Sequence, residues 1–200
     1  MDFKRFIIMT GLASTLVLTA CTNTDSNKSV EDKTEEVSKE AETSEVTAGE
    51  ETDLSFEGEY GTYEFSKFDT VEIPASDEAK SAAKESGEDE PGPTKVVVAE
   101  FQFTNKATVP TSAAEAFGLD FAVRQVTEEG VNPTDNMTLD IPEDSEYADM
   151  ITDSSETMVK EGESTKAFVA YGPIDDELET HLQSREGMES EAFDVIIKTK

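Results

Sequence analysis

Apolar and polar residues alternate with a period of two through much of the second half of the chain, which predicts β-strands. Residues 95–104 (KVVVAEFQFT) place Val97, Ala99, Phe101 and Phe103 on one face. On the other face Val96 and Val98 give way to Glu100 and Gln102, so this strand begins buried and ends half-solvated. Residues 117–123 (FGLDFAV) alternate more cleanly, with Phe117, Leu119, Phe121 and Val123 inward and Asp120 and Arg124 outward. Residues 166–171 (KAFVAY) and 193–198 (FDVIIK) are short hydrophobic runs bounded by turn residues. Residues 58–65 and 70–73 read as an opening pair of strands. Met158-Val159, just before Glu161-Gly162, reads as a strand entering a tight turn.

Short strands punctuated by turn residues predict an all-β fold, an antiparallel β-sandwich of six to nine strands. Helical signals interrupt it: one turn around residues 77–85, inside the acidic connection 74–94, and short helices at 112–116 and 175–182. The expected core comprises Val97, Phe101, Phe103, Leu119, Phe121, Val123, Phe168, Val195 and Ile197.

Composition sets the domain boundaries. Residues 54–200 hold nearly all the aromatics and suit one domain in length. Residues 22–53 have no aromatic residue and only three β-branched aliphatics, Val30, Val37 and Val46, against 11 acids and three lysines. Such a segment buries too little apolar surface to offset its ordering entropy, so 21–53 is expected to be a disordered acidic tether. A helix or an interaction tail is the alternative, because Glu and Lys are good helix formers.

Before the tether, Lys4 and Arg5 precede an apolar run from Phe6 to Leu18, followed by Thr19, Ala20 and Cys21. A run of 13 residues spans roughly 20 Å as a helix, against a hydrocarbon core of about 30 Å. It suits the h-region of a secretory signal, residues 1–20, better than a membrane span. Leu18-Thr19-Ala20-Cys21 closely resembles the lipobox of bacterial lipoproteins. The resemblance implies cleavage between Ala20 and Cys21, a diacylglycerol on the Cys21 sulfur, and display on the outer face of a bacterial cell membrane. Two acyl chains hold a protein stably where one holds only marginally.

The chain carries a formal net charge of −30; removing residues 1–20 takes away Asp2, Lys4 and Arg5 and leaves −31. So acidic a chain repels nucleic acid and anionic headgroups, and favours cationic partners, dissolved cations or simple solubility. Cys21 is the only cysteine, so no intramolecular disulfide is available and the domain must rely on its apolar core.

Residues 95–106 (KVVVAEFQFTNK), 114–121 (AEAFGLDF) and 159–171 (VKEGESTKAFVAY) resemble a family of uncharacterised Gram-positive lipoproteins. Their extracellular domain is immunoglobulin-like and telokin-like, of the kind grouped with immunoprotective extracellular antigens. The resemblance covers roughly residues 56–199 and implies an immunoglobulin-like sandwich; it carries over no functional residue. The chain has no Trp, so the Cys…Trp…Cys core of antibody domains is missing.

Candidate chemistry is sparse. His181 is the only histidine and reads as an isolated surface residue, with Glu179 and Ser184 merely near it in sequence. Ser81-Ala82-Ala83-Lys84 matches the Ser-x-x-Lys of penicillin-binding enzymes, but the companion Ser-Asp-Asn and Lys-Thr-Gly elements do not occur. Asp135, Asp140, Glu143, Asp144, Glu146, Asp149 and Asp153 crowd one connection, and Asp175-Asp176-Glu177 another. These raise calcium as a partner, although no EF-hand spacing is present. No cofactor motif and no zinc-type Cys/His set is expected, and catalytic residues are expected to be none. The sequence therefore predicts a membrane-anchored, non-enzymatic binding module for an extracellular protein, a wall component or a small ligand. A calcium-binding surface domain is the alternative.

Overall fold

The computed structural model describes residues 43–185 and 193–199. Within them the chain forms β1 (Thr43–Thr47), β2 (Ser55–Glu57), β3 (Gly61–Ile73), α1 (Asp77–Ser86), β4 (Thr94–Asn105), α2 (Ala113–Asp120), β5 (Phe121–Thr127) and β6 (Gly130–Pro133). It continues through β7 (Asp135–Asn136), α3 (Ile151–Ser155), β8 (Ser164–Gly172), β9 (Glu179–Ser184) and β10 (Asp194–Lys198). One sheet has the order β1-β10-β9-β5-β6, the other β2-β3-β4-β8-β7. β1 runs parallel to β10, and the other pairings are antiparallel. Strands β3-β4-β8-β7 facing β10-β9-β5-β6 follow the A-B-E-D and G-F-C-C′ order of immunoglobulin-type sandwiches.

The core lies between the sheets, where Tyr63, Phe65, Phe101, Phe103, Phe117 and Phe121 are 2% exposed or less. Val97, Phe101, Phe103, Phe121, Val123, Val195 and Ile197 belong to this cluster, as their alternation predicts. Phe168 is fully buried on the opposite face of the second sheet, in a separate cluster with Val96, Val98, Ala170, Ile141 and Tyr147. Residues 137–155 fold over that face as a third layer, and sheets covered on both sides carry continuous apolar runs such as Val96-Val97-Val98. The layer also closes the edge of β8: Ser154 Oγ accepts from Phe168 N at 2.9 Å, and Thr138 Oγ1 from Ala170 N at 3.0 Å.

Several expectations are corrected. Strand β1 lies inside the stretch 22–53 that composition assigns to the tether, so the folded part begins by Thr43. Its partner is distant: the edge of β10 supplies hydrogen-bonding groups, and Val46 packs against the core. The following residues cross to the other sheet, with Gly49 N donating to Phe68 O at 2.7 Å and Thr52 N to Ser66 O at 2.9 Å. The expected strands 58–65 and 70–73 are one strand, β3, whose register shifts between Phe65 and Lys67. That bulge lets Phe65 and Phe68 both point inward three residues apart, which breaks the period of two.

The largest correction concerns residues 117–123. Helix α2 runs to Asp120 and the strand begins only at Phe121. Ala113, Ala116, Phe117 and Asp120, spaced as one helical face, are fully buried, whereas Leu119 is 43% exposed and no part of the core. Ser112 caps this helix by accepting from Glu115 N at 3.3 Å. The helix expected at 175–182 is absent, because β9 starts at Glu179. Met158-Val159 contributes an isolated bridge, Thr111 to Val159. The turn near 77–85 is the full helix α1, capped by Ser76 and ended by Gly87 at φ 76°.

Candidate functional site

Among the described residues, polar side chains gather at the end of α2, on the outer face of the first sheet, and in the acidic connection over the second sheet, among other places. At the first, Asp120 is fully buried, contrary to its expected outward position. Helix α2 delivers its carboxylate to the β2–β3 turn. There Oδ1 accepts from Glu59 N at 3.0 Å and Tyr60 N at 3.2 Å, and Oδ2 from Gly61 N at 3.2 Å and the Tyr63 hydroxyl at 2.7 Å. A Cβ at Gly58 would fall on this carboxylate, so the turn needs glycine there for space. Burial pushes Asp120 above the usual carboxylate range, outweighing the hydrogen bonds from Tyr63 and the three N–H groups. Burial and the neighbouring Asp120 likewise push the Tyr63 hydroxyl up. With its oxygens taken up by donors from the protein, Asp120 is a structural clamp.

The outer face of the first sheet holds His181. It is 8% exposed rather than an isolated surface residue, because β9 is the central strand and Ile196 and Arg124 flank it in register. Its Nδ1 lies 2.9 Å from Asp194 Oδ1, while Asp194 Oδ2 accepts from Gln183 Nε2 at 3.1 Å. Nε2 is buried with no hydrogen-bond partner, and Glu179 Oε2 stands 3.8 Å away. Lys198 bridges Glu179 at 3.5 Å and Glu45 of β1 at 3.3 Å. Its hydrogen bond to Glu45 holds that ammonium above the usual lysine range. Ser184 does not join this group; its hydroxyl accepts from Phe193 N at 3.0 Å.

The acidic residues proposed for calcium are spread out. Asp135 sits on β7, Asp140 and Asp149 on single helical turns, and Asp153 on α3. Glu146 pairs with Lys67 at 3.4 Å, and Asp176 with Lys95 at 2.7 Å; Asp175 Oδ1 accepts from Glu177 N. Among the described residues, no three or more His, Cys, Asp or Glu side chains are grouped to hold a metal ion. Beneath this layer, Lys67 lies 2.6 Å from Asp69, and Tyr147 donates to Asp69 at 3.2 Å. Burial alone would raise Asp69; the hydrogen bonds from Lys67, Thr70 N and Tyr147 hold it below the usual range.

Ser81 spends its hydroxyl on the carbonyl of Asp77 at 2.7 Å, as helical serines commonly do, and it and Lys84 lie on the exposed α1. Between the sheets, a void bordered by Phe117, Val123, Tyr171 and Leu182 measures about 10 Å³, at the lower limit for one water molecule. That space cannot take a larger ligand. Ala20 and Cys21 lie outside the described residues, and among those described no helix is long and apolar enough to cross a membrane.

Neither protein-family models nor curated proteins give a match to this chain. Among solved structures it is similar to one described as a "putative lipoprotein" from Staphylococcus aureus subsp. aureus NCTC 8325. The TM-score is 0.51 and the identity 12%, covering 76% of this chain and 97% of that one. At this identity the likeness establishes a shared fold. Asp120 and Asp194, which organise the first two of these places, are missed by sequence reasoning. A usable signal for Asp120 is Ser112-x-x-Glu115 opening a run with Ala116, Phe117 and Asp120 at helical spacing.

Proposed function

We propose that this protein is a bacterial surface lipoprotein, anchored through Cys21, whose sandwich acts as an extracellular binding module rather than an enzyme. The observation that carries the anchoring is Leu18-Thr19-Ala20-Cys21 at the end of a short apolar run, followed by an acidic, aromatic-free stretch. The likeness in fold to the staphylococcal protein, itself described as a "putative lipoprotein", supports it. So does the match of strand order to immunoglobulin-type sandwiches, which fits the telokin-like family suggested by residues 95–106 and 159–171. The void between the sheets among the described residues is too small for a ligand, which supports binding at loops and sheet faces, where sandwiches commonly meet partners. The net charge of −31 after cleavage directs the module toward neutral or cationic protein, wall or small-molecule ligands and away from nucleic acid.

Cell fractionation tests the anchoring. Cys21→Ala should release the protein into the medium or leave the uncleaved precursor; processing and membrane retention like wild type would refute it. Capture of cell-surface extract on the Cys21→Ala chain, beside a panel of hydrolase substrates, tests the role. Saturable capture of one wall or surface component supports a binding module. Turnover abolished by a single carboxylate substitution that leaves the melting temperature intact refutes it.

A further inference from the structure

We propose that the His181 cluster on the outer face of the first sheet binds a divalent transition-metal ion of the zinc class. His181 Nε2 and Glu179 would be the protein donors, with Asp194 orienting the imidazole. Asp194 Oδ1 lies 2.9 Å from Nδ1, where a carboxylate takes the hydrogen bond of a protonated Nδ1 and leaves the Nε2 lone pair free. Metal-binding histidines are arranged in this way, with the second ring nitrogen held by a carboxylate. Gln183 in turn fixes Asp194, donating to its other oxygen at 3.1 Å.

Two features of Nε2 point outward from the protein's own bonding. It is buried without a partner, on a side chain nine-tenths buried, a condition that costs stability unless something fills it. The facing oxygen, Glu179 Oε2, stands 3.8 Å away, too far for a hydrogen bond. That gap is near the roughly 3.4 Å that separates two donors each about 2.1 Å from a tetrahedral ion. Glu179 is held there by Lys198, which also holds Glu45. A divalent ion would replace the ammonium as the counter-charge of Glu179, while Lys198 keeps Glu45. Three carboxylates, Asp194, Glu179 and Glu45, outweigh the charges of Lys198 and Arg124 around the ring. A nitrogen donor selects zinc, copper or nickel over calcium and magnesium. Two protein donors are fewer than a closed site uses, so water completes the sphere and the ion exchanges readily.

The chain has a single histidine, so its imidazole nitrogen resonances report this site without ambiguity. The full chain carrying Cys21→Ala, which removes the only thiol, and no affinity tag would be titrated with zinc in detergent. The Nε2 resonance should move and saturate at one equivalent, while excess calcium or magnesium leaves it in place. Glu179→Gln, at an exposed side chain, should weaken zinc binding at least about tenfold without changing the zinc-free melting temperature. Asp194→Asn should weaken it by about 10–100-fold. An Nε2 resonance unmoved by excess zinc would overturn the proposal, as would zinc affinity unchanged in Glu179→Gln. Calorimetric zinc uptake that persists in full in His181→Gln would assign the binding to scattered carboxylates and equally overturn it.

Discussion

The hydroxyl of Tyr63 donates to Oδ2 of Asp120 across 2.7 Å, joining strand β3 to the last residue of helix α2 inside the sandwich. The same carboxylate collects Glu59 N, Tyr60 N and Gly61 N, so one side chain orders the β2–β3 turn and the helix-to-strand junction together. Tyr63→Phe keeps the ring among Phe101, Phe117 and Phe121 and removes only the hydroxyl. A hydrogen bond to a charged group contributes about 1.5–3 kcal/mol, and urea unfolding should show a loss of that size. Asp120→Ala should cost more, because it strands three backbone donors as well as the hydroxyl.

The register of α2 separates two neighbours that alternation treats alike. Phe121 contacts the rings of Phe117 at 4.7 Å and of Phe56 and Tyr63 at 4.9 Å, so Phe121→Ala should cost about 3–5 kcal/mol. Leu119 is 43% exposed, so Leu119→Ser should change stability by no more than about 0.5 kcal/mol. Equal losses in the two variants, measured by chemical denaturation, would restore the strand reading of residues 117–123.

Acid should act on half-buried Asp69 and buried Asp120 with opposite signs. Asp69 is held below its ordinary value of 3.8, so the unfolded chain binds its proton more tightly. Its contribution is complete above that value and is lost as pH falls through the lower folded value. Asp120 is raised, so the folded state holds the proton more tightly and stability falls as pH rises through its window. Asp69→Asn should therefore melt below wild type at neutral pH, with the gap closing as pH is lowered below 3.8. Thermal melts followed by circular dichroism across that range check the sign; a gap that widens in acid contradicts it.

The first strand should contribute to stability although its composition is that of a tether. A chain beginning at residue 54 loses the parallel pairing of β1 with β10, the packing of Val46, and the Glu45–Lys198 ion pair. Relative to a chain beginning at residue 43, it should lose about 1–2 kcal/mol, or roughly 2–8 °C in melting temperature for a domain of this size. Identical melting curves would return residues 43–53 to the tether.

The sequence by itself determined the fold class and most of the sandwich core. Residues 95–104 became β4, Thr94–Asn105, and the runs 166–171 and 193–198 fall on β8 and β10. These are local decisions: alternating side chains must face opposite sides of a pleat, so the apolar set names the inner face without knowledge of its partner. Residues 117–123 alternate more cleanly still, yet the pattern misleads, because Phe117 and Phe121 are four apart, a spacing that puts both on one face of a strand or of a helix. Only Leu119 and Asp120 distinguish the two, and the turn at residues 59–61, which supplies three N–H donors for a carboxylate, decided for the helix. β1 and His181 were decided the same way. Thr43–Thr47 is a strand because β10, some 150 residues later, offers it an edge. His181 is buried because β9 lies between β10 and β5, with Asp194 brought alongside. Apolar burial follows a period written along the chain, whereas a polar residue is buried only where distant segments bring it a partner, and that pairing exists only in the folded molecule.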